Sequence, residues 1–190
     1  WGRDTNTSGA WVTAGCWWYG GYFSGNLYGN FHMRVGAETG GGPVEPGFSY
    51  CSGDGSGTAC PCGNNSTGPG GCDWDPVNFP TGGLLTASGS DSYAANDTYL
   101  HATAIENNFG IFFGANNQPN GGAGNPLNDG LRCAGGGLVR LTPPTAATGN
   151  MADLPSPIQT LDTGAGAGLT RRYQYWFRTP AGPCGTQANL

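Results

Sequence analysis

Two closely spaced aspartates are the first residues of this sequence whose types and spacing could do chemistry. Asp73 and Asp75 lie two positions apart in the stretch CDWDP. On a strand such residues share a face, and two carboxylates on one face could serve as the acid and the nucleophile of a glycoside hydrolase. The step from Asp75 to Pro76 is also typical of a turn that the aspartate caps, and we predict that turn.

A Ser-His-Asp triad needs a histidine, and the chain has two, His32 and His101. Both alternate with apolar neighbours and fall on the polar face of a predicted strand, where an exposed histidine without a catalytic role is the ordinary expectation. The absence of lysine excludes Schiff-base chemistry. We therefore predict a protein that is not an enzyme and that uses no cofactor.

Seven cysteines, in a chain with few charged residues, favour an oxidising, extracellular compartment. Six fall in one region: Cys51, Cys60, Cys62, Cys72, Cys133 and Cys184. We predict three disulfides among them, whose connectivity the sequence leaves open. A zinc site is the alternative, but Cys-x2-Cys pairs are absent and we predict no metal. Cys16 stands apart and is expected to be unpaired or bonded to another chain.

The composition excludes several classes of partner. Only 10% of residues are charged, and the net charge is −5. Nucleic acids and anionic membrane surfaces attract basic proteins, so neither is an expected partner. No apolar run approaches the roughly 20 residues of a membrane-spanning helix.

Short segments with a period of two residues indicate an all-β fold. In residues 30–35 and 99–104 apolar residues alternate with polar ones, and 110–115 and 136–141 are further candidate strands. Residues 171–179 are apolar on both faces, as in a central strand covered on both sides; Arg171 and Arg172 are expected to be solvated. We predict an antiparallel β-sandwich, or a jelly-roll-like arrangement, stapled by disulfides and carrying long Gly-rich loops.

A shift in composition divides the chain near residue 47. Residues 1–47 form an aromatic-rich β segment followed by a Gly/Pro linker, and 48–190 form a Cys-rich domain. A segment so small rarely folds alone, so we expect it to dock on the main domain or on a neighbouring subunit. Its aromatic residues could form that interface or stack on sugars: Trp11, Trp17, Trp18, Tyr19, Tyr22 and Phe23.

Asn-x-Ser/Thr sequences mark candidate sites of glycosylation. The acceptors would be Asn6, Asn64, Asn65 and Asn96. Glycan would add solubility to a chain that has little charge.

Several motifs in the second part of the chain resemble those of a known group of proteins. The most specific are ACPCGN, DGLRCAGG and YQYWFR, and the likeness covers about residues 48–190. They resemble Cys-rich β-sandwich modules of secreted bacterial proteins, found in large modular cell-surface proteins. The resemblance implies an extracellular β-sandwich with the six clustered cysteines in the positions of the family's cysteines, and it implies no catalytic residues.

We therefore predict a non-catalytic extracellular structural protein, a subunit of a cell-surface filament or of another extracellular assembly. The resembled modules continue beyond the equivalent of Leu190 into one more apolar strand. We expect a neighbouring copy to complete the fold and build a homopolymer; the other interpretation is that these residues are one stretch of a longer chain, which supplies the strand itself. The alternative is a carbohydrate-binding module of a larger secreted enzyme or adhesin, whose partners would be glycans.

Overall fold

The computed structural model describes residues 46–190 and, as backbone only, residues 30–34. The strands, numbered along the chain, are β1 (Asn30–Arg34), β2 (Phe48–Tyr50), β3 (Leu84–Ser88), β4 (Tyr99–Thr103), β5 (Phe109–Ala115), β6 (Asn125–Leu127), β7 (Gly130–Arg132), β8 (Val139–Arg140), β9 (Thr145–Ala146), β10 (Met151–Asp153), β11 (Thr170–Arg178) and β12 (Ala188–Asn189). The helical elements are α1 (Ile158–Leu161) and two 3-10 turns, Pro61–Gly63 and Pro119–Gly122.

The strands form three antiparallel sheets. Sheet A has the order β2-β1-β11-β5-β8, with β12 also paired to β11 and β9 to β5. Sheet B has the order β10-β4-β3, and β6 and β7 form a separate hairpin. This confirms the predicted all-β class, while the sandwich or jelly-roll order stays a prediction. No helix among the described residues is long and apolar enough to cross a membrane.

Strand β11 lies in the middle of sheet A and is covered on both faces. Tyr173 and Gln174 are neighbours that point to opposite faces, and both are fully buried. Gln174 accepts hydrogen bonds from the backbone N–H groups of Cys133 and Ala134 and donates one to the carbonyl of Leu131. The predicted central strand is therefore present, and one of its faces holds the irregular segment that follows β7.

One apolar cluster joins the two larger sheets. Sheet B contributes Leu85 and Leu100, and sheet A contributes Phe112 and Phe177. The Trp74 ring, from the loop before β3, packs edge-on against the Phe177 ring, with 5.9 Å between the ring centroids. Burial of these side chains provides the hydrophobic stabilisation of a chain that is otherwise rich in glycine.

Three disulfides tie the irregular segment between β2 and β3 to the rest of the domain. Two bridges are long-range, Cys51–Cys133 and Cys62–Cys184, and the third, Cys60–Cys72, closes a loop inside the segment. The predicted disulfides are confirmed, and the connectivity that the sequence left open is now defined. No cluster of metal-ligating side chains occurs among the residues that the structure describes.

The prediction for Arg171 is wrong, because its side chain is buried rather than solvated. Only 1% of Arg171 is exposed, and the guanidinium forms two hydrogen bonds of 2.8 Å to the carboxylate of Asp162, which follows α1. It also donates a hydrogen bond to the Asn116 side chain. A buried charge is tolerated only with a counter-charge and satisfied donors, and Asp162 supplies the counter-charge. Arg172 is half-buried and donates to the Asn116 carbonyl.

We expect Asp162→Asn to lower the free energy of unfolding by about 3–5 kcal/mol, because it leaves the Arg171 charge buried without its partner. Urea unfolding at neutral pH measures the change. Replacing both charges, as Asp162→Leu with Arg171→Met, should recover most of the loss. The control Arg140→Met alters an exposed arginine and should change stability by less than about 0.5 kcal/mol. An equally small effect of Asp162→Asn would contradict the account.

Candidate functional site

Three polar side chains from three neighbouring strands meet on the outer face of sheet B. They are Ser88 at the end of β3, His101 in the middle of β4 and Asp153 at the end of β10. His101 lies directly opposite Asp153 in the register of β4 and β10, and opposite Thr86 in the register of β3 and β4. Because Ser88 is two residues from Thr86, its side chain emerges on the same face.

The three side chains form a continuous chain of hydrogen bonds. The distance from Ser88 Oγ to His101 Nε2 is 2.8 Å. The distance from His101 Nδ1 to Asp153 Oδ1 is also 2.8 Å. A carboxylate only accepts hydrogen bonds, so in the neutral ring Nδ1 carries the proton and Nε2 accepts the Ser88 hydroxyl. This is the connectivity of a Ser-His-Asp triad, in which the acid orients the base and the base faces the nucleophile.

The alternation of β4 accounts for the position of His101. Leu100 and Ala102 point into the core and are fully buried, so His101 between them must point outward. Strand β3 ends at Ser88 because the chain turns at Gly89, which has a φ of +95°. A Cβ atom at Gly89 would lie 2.0 Å from the Asp97 carbonyl oxygen, so only glycine fits this turn.

The site is open to solvent. The His101 side chain is 34% exposed and the Asp153 side chain 61% exposed. Water therefore screens the attraction between the imidazole and the carboxylate. Ser88 and Asp153 are exposed, and the arrangement can use His101 as a base toward the Ser88 hydroxyl.

Sequence reasoning placed His101 on a polar strand face but did not find its partners. Ser88 and Asp153 are separated from His101 by 13 and 52 positions. Serines and aspartates are frequent in the loops and turns of this chain, so only the register of β3 and β10 with β4 singles out these two. The alternation of apolar and polar residues in β3 is the sequence pattern that could have placed Ser88 on the outer face, although it does not show that Ser88 lies beside His101.

The predicted turn at Asp75 is present. Its carboxylate accepts hydrogen bonds from the backbone N–H groups of Val77 and Asn78 and from the Asn78 side chain. The Asn78 side chain is the main cause that lowers the pKa of Asp75. Asp73 is buried, and this burial, with a smaller contribution from the charge of Asp75, raises its pKa. With Asp75 occupied in its turn, the pair does not form an open acid–nucleophile site.

The candidate glycan acceptors differ in their surroundings. The amide nitrogen of Asn64 donates to the carbonyls of Asp73 and Asp129, so modification of this nitrogen would disturb both contacts. Asn65 and Asn96 are exposed. The carbonyl oxygen of the Asn65 side chain accepts the Cys60 N–H, and that of Asn96 accepts the Thr160 hydroxyl. Glycosylation of these sites stays a prediction.

Several predicted site residues lie outside the described residues. They are Asn6, Cys16 and the aromatic residues Trp11, Trp17, Trp18, Tyr19, Tyr22 and Phe23. The proposed interface or sugar-stacking role of the aromatic residues therefore stays a prediction.

Comparison with protein-family models, with curated proteins and with solved structures finds no match to this chain. The resemblance to Cys-rich cell-surface modules accordingly stays a prediction from the sequence motifs.

The raised pKa of Asp73 predicts a pH-dependent effect of Asp73→Asn. Below the unfolded pKa, near 3.9, both states are protonated at this position and the two proteins should be similarly stable. As pH rises through the raised folded pKa, the buried carboxylate must ionise, and the native protein loses stability that the Asn variant keeps. Urea unfolding at pH 3 and pH 7 should show the variant to be the more stable protein only at pH 7.

Asp54→Asn is the control with the opposite sign. Asp54 is exposed, and hydrogen bonds from the Ser56 hydroxyl and N–H lower its pKa. Its ionised form therefore favours the folded state above the unfolded pKa, and the substitution should reduce stability at pH 7. Equal responses of Asp73→Asn and Asp54→Asn would contradict the environments described here.

The hydrogen-bond chain also predicts the tautomer of His101. We expect the neutral ring to carry its proton on Nδ1, because Asp153 accepts from that nitrogen. Nitrogen-15 NMR of the ring distinguishes the two tautomers. The signals that disappear in His101→Gln belong to His101, and those that remain belong to His32. In Asp153→Asn the Nδ1–H form should lose population. A ring protonated mainly on Nε2 in the unaltered protein would contradict the arrangement.

Proposed function

We propose that this chain is a structural subunit of an extracellular assembly, in which the N-terminal strand of one copy completes sheet A of the next. The observation that carries the proposal is the position of β1. In this structure it lies inside the sheet of its own chain, between β2 and β11, although residues 35–47 separate it in sequence from the Cys-rich domain.

The register shows how β1 fits its place. On one side His32 lies opposite Arg172 and Arg34 opposite Thr170; on the other, Phe31 lies opposite Ser49. Both pairings are antiparallel, so backbone hydrogen bonds hold the strand from both sides. Without β1, the first residues of β11 would present an open sheet edge, which is a template for another strand.

Strand addition of this kind suits assembly. Main-chain hydrogen bonds supply affinity, and alternate side chains fix the register. A linker rich in glycine and proline permits β1 to insert into its own domain or into a neighbour. If each copy receives the strand of the preceding copy, the contact is head-to-tail, and such a contact extends into a filament unless it closes into a ring.

The disulfides support the extracellular part of the proposal. Three bridges in one small domain persist in oxidising compartments and are rare where thiols are kept reduced. They would also hold each domain together while its strand is exchanged. A bacterial cell surface, where the resembled modules occur, is the setting that this reading favours.

Engineered disulfides test whether β1 is exchanged between copies. In a Cys16→Ser background, cysteines replace the opposed residues Phe31 and Ser49. After oxidation, non-reducing denaturing electrophoresis should show a ladder of covalent oligomers, because each bond joins two chains. The control pair replaces Asn125 and Arg132, which face each other within the β6–β7 hairpin, and should give monomers only.

Sedimentation of the unaltered protein completes this test. We expect particles larger than one chain, and we expect deletion of residues 1–34 to abolish them while the three disulfides still form. A compact monomer, with only intramolecular Phe31→Cys/Ser49→Cys bonds, would show that β1 belongs to its own domain and would overturn the proposal.

A further inference from the structure

We propose that Ser88 is a nucleophilic serine that His101 activates for acyl transfer from small esters. The inference goes beyond the structural role and departs from the sequence-based prediction that the chain is not an enzyme. It rests on the two 2.8 Å hydrogen bonds that join Ser88, His101 and Asp153 in the order required of nucleophile, base and orienting acid.

The three groups are held by backbone pairing rather than by loops. Each residue belongs to a strand of sheet B, and cross-strand hydrogen bonds fix the strands side by side. A site built on strands keeps its geometry more precisely than one built on loops. Asp153 fixes the ring of His101 so that Nε2 faces the Ser88 hydroxyl, which makes Asp153 a positioning residue.

The surroundings of Ser88 indicate the class of ester. Tyr99 lies directly opposite Ser88 in the register, on the same face, and is 37% exposed. An aromatic ring beside the nucleophile offers a flat apolar contact to an aryl or short acyl group. The open face would give few contacts to a long acyl chain, so small esters are the expected substrates.

The reaction balances without any further reactant than water. Ser88 Oγ attacks the ester carbonyl carbon while its proton moves to His101 Nε2. The bond between the carbonyl carbon and the alcohol oxygen then breaks, and the Nε2 proton passes to that oxygen, which releases the alcohol. Water attacks the acyl-serine in the same way, so that carboxylic acid leaves and the Ser88 hydroxyl is restored.

General-base assistance alone accelerates such steps by about 10²–10⁴-fold. Because the site is open and its His–Asp pair is screened by water, we expect the lower end of this range. The acylation of Ser88 should therefore be measurable against an ordinary serine in the same chain.

Ser56 provides that internal reference. It is exposed, and its hydroxyl donates directly to the Asp54 carboxylate at 2.6 Å with no imidazole between them. A serine that is merely exposed and bonded to an acid should react as Ser56 does, whereas a serine activated by a base should react faster.

The experiment treats the intact protein with p-nitrophenyl acetate at pH 7.5 and locates acetylated residues by peptide mass spectrometry over time. We expect Ser88 to be acetylated about 100-fold faster than Ser56, the lower end of that range. His101→Gln should reduce Ser88 to the rate of Ser56, and Asp153→Asn should give an intermediate rate because it loosens the ring. Circular dichroism checks that both variants remain folded.

Two results would overturn the inference. One is acetylation of Ser88 no faster than that of Ser56 in the folded protein, which would leave the triad as a hydrogen-bonded tie across three strands. The other is fast acetylation of Ser88 that persists in His101→Gln, which would show that the histidine is not its base. Neither result affects the proposed role in assembly, which is measured by crosslinking and sedimentation.

Discussion

Cross-linking of an irregular segment is the constraint on which the rest of this structure depends. Residues 51–72 contain little apolar surface, so burial alone cannot order them. Closing a loop of about 15 residues with a disulfide stabilises a fold by roughly 3 kcal/mol, and a loop near 100 residues by nearly 5, mainly by restricting the unfolded chain. Cys60–Cys72 spans 12 positions and Cys51–Cys133 spans 82. These bridges replace the core that the segment lacks.

Buried polar side chains order the irregular segments together with the disulfides. Irregular backbone cannot satisfy its N–H and C=O groups through sheet pairing, so side chains must do it. The Gln174 side chain forms hydrogen bonds with the backbone of β7 and of the segment that follows it. The Asn64 side chain donates to the carbonyls of both Asp73 and Asp129. The Asp162 carboxylate neutralises the guanidinium of Arg171, which lies on β11 of sheet A. Hydrogen bonds and an ion pair formed by side-chain amides and carboxylates thus attach the loops to the sheets.

The local patterns of the sequence predicted β1, β4, β5 and β11, but not most of the shorter strands and not the contacts between strands. Alternation of Leu100 and Ala102 with His101 predicted β4, because periodicity is a local property. The burial of Arg171 was missed because it depends on Asp162, which arrives from a loop. The triad was missed because Ser88 and Asp153 are distant from His101 in sequence and come close to it only through the register of three strands. Disulfides were predictable from the cysteine count, but their pairing required the fold.

Hydrogen exchange of the oxidised and the reduced protein tests the central claim most directly. The amides of Gly53, Ser66 and Asp73 donate to backbone carbonyls within the cross-linked segment. We predict that these amides are protected while the disulfides are intact, and that reduction exposes them to exchange before the amides of β11 lose protection. Protection of Gly53, Ser66 and Asp73 that survives full reduction would show that something other than the disulfides orders the segment, and would contradict the account.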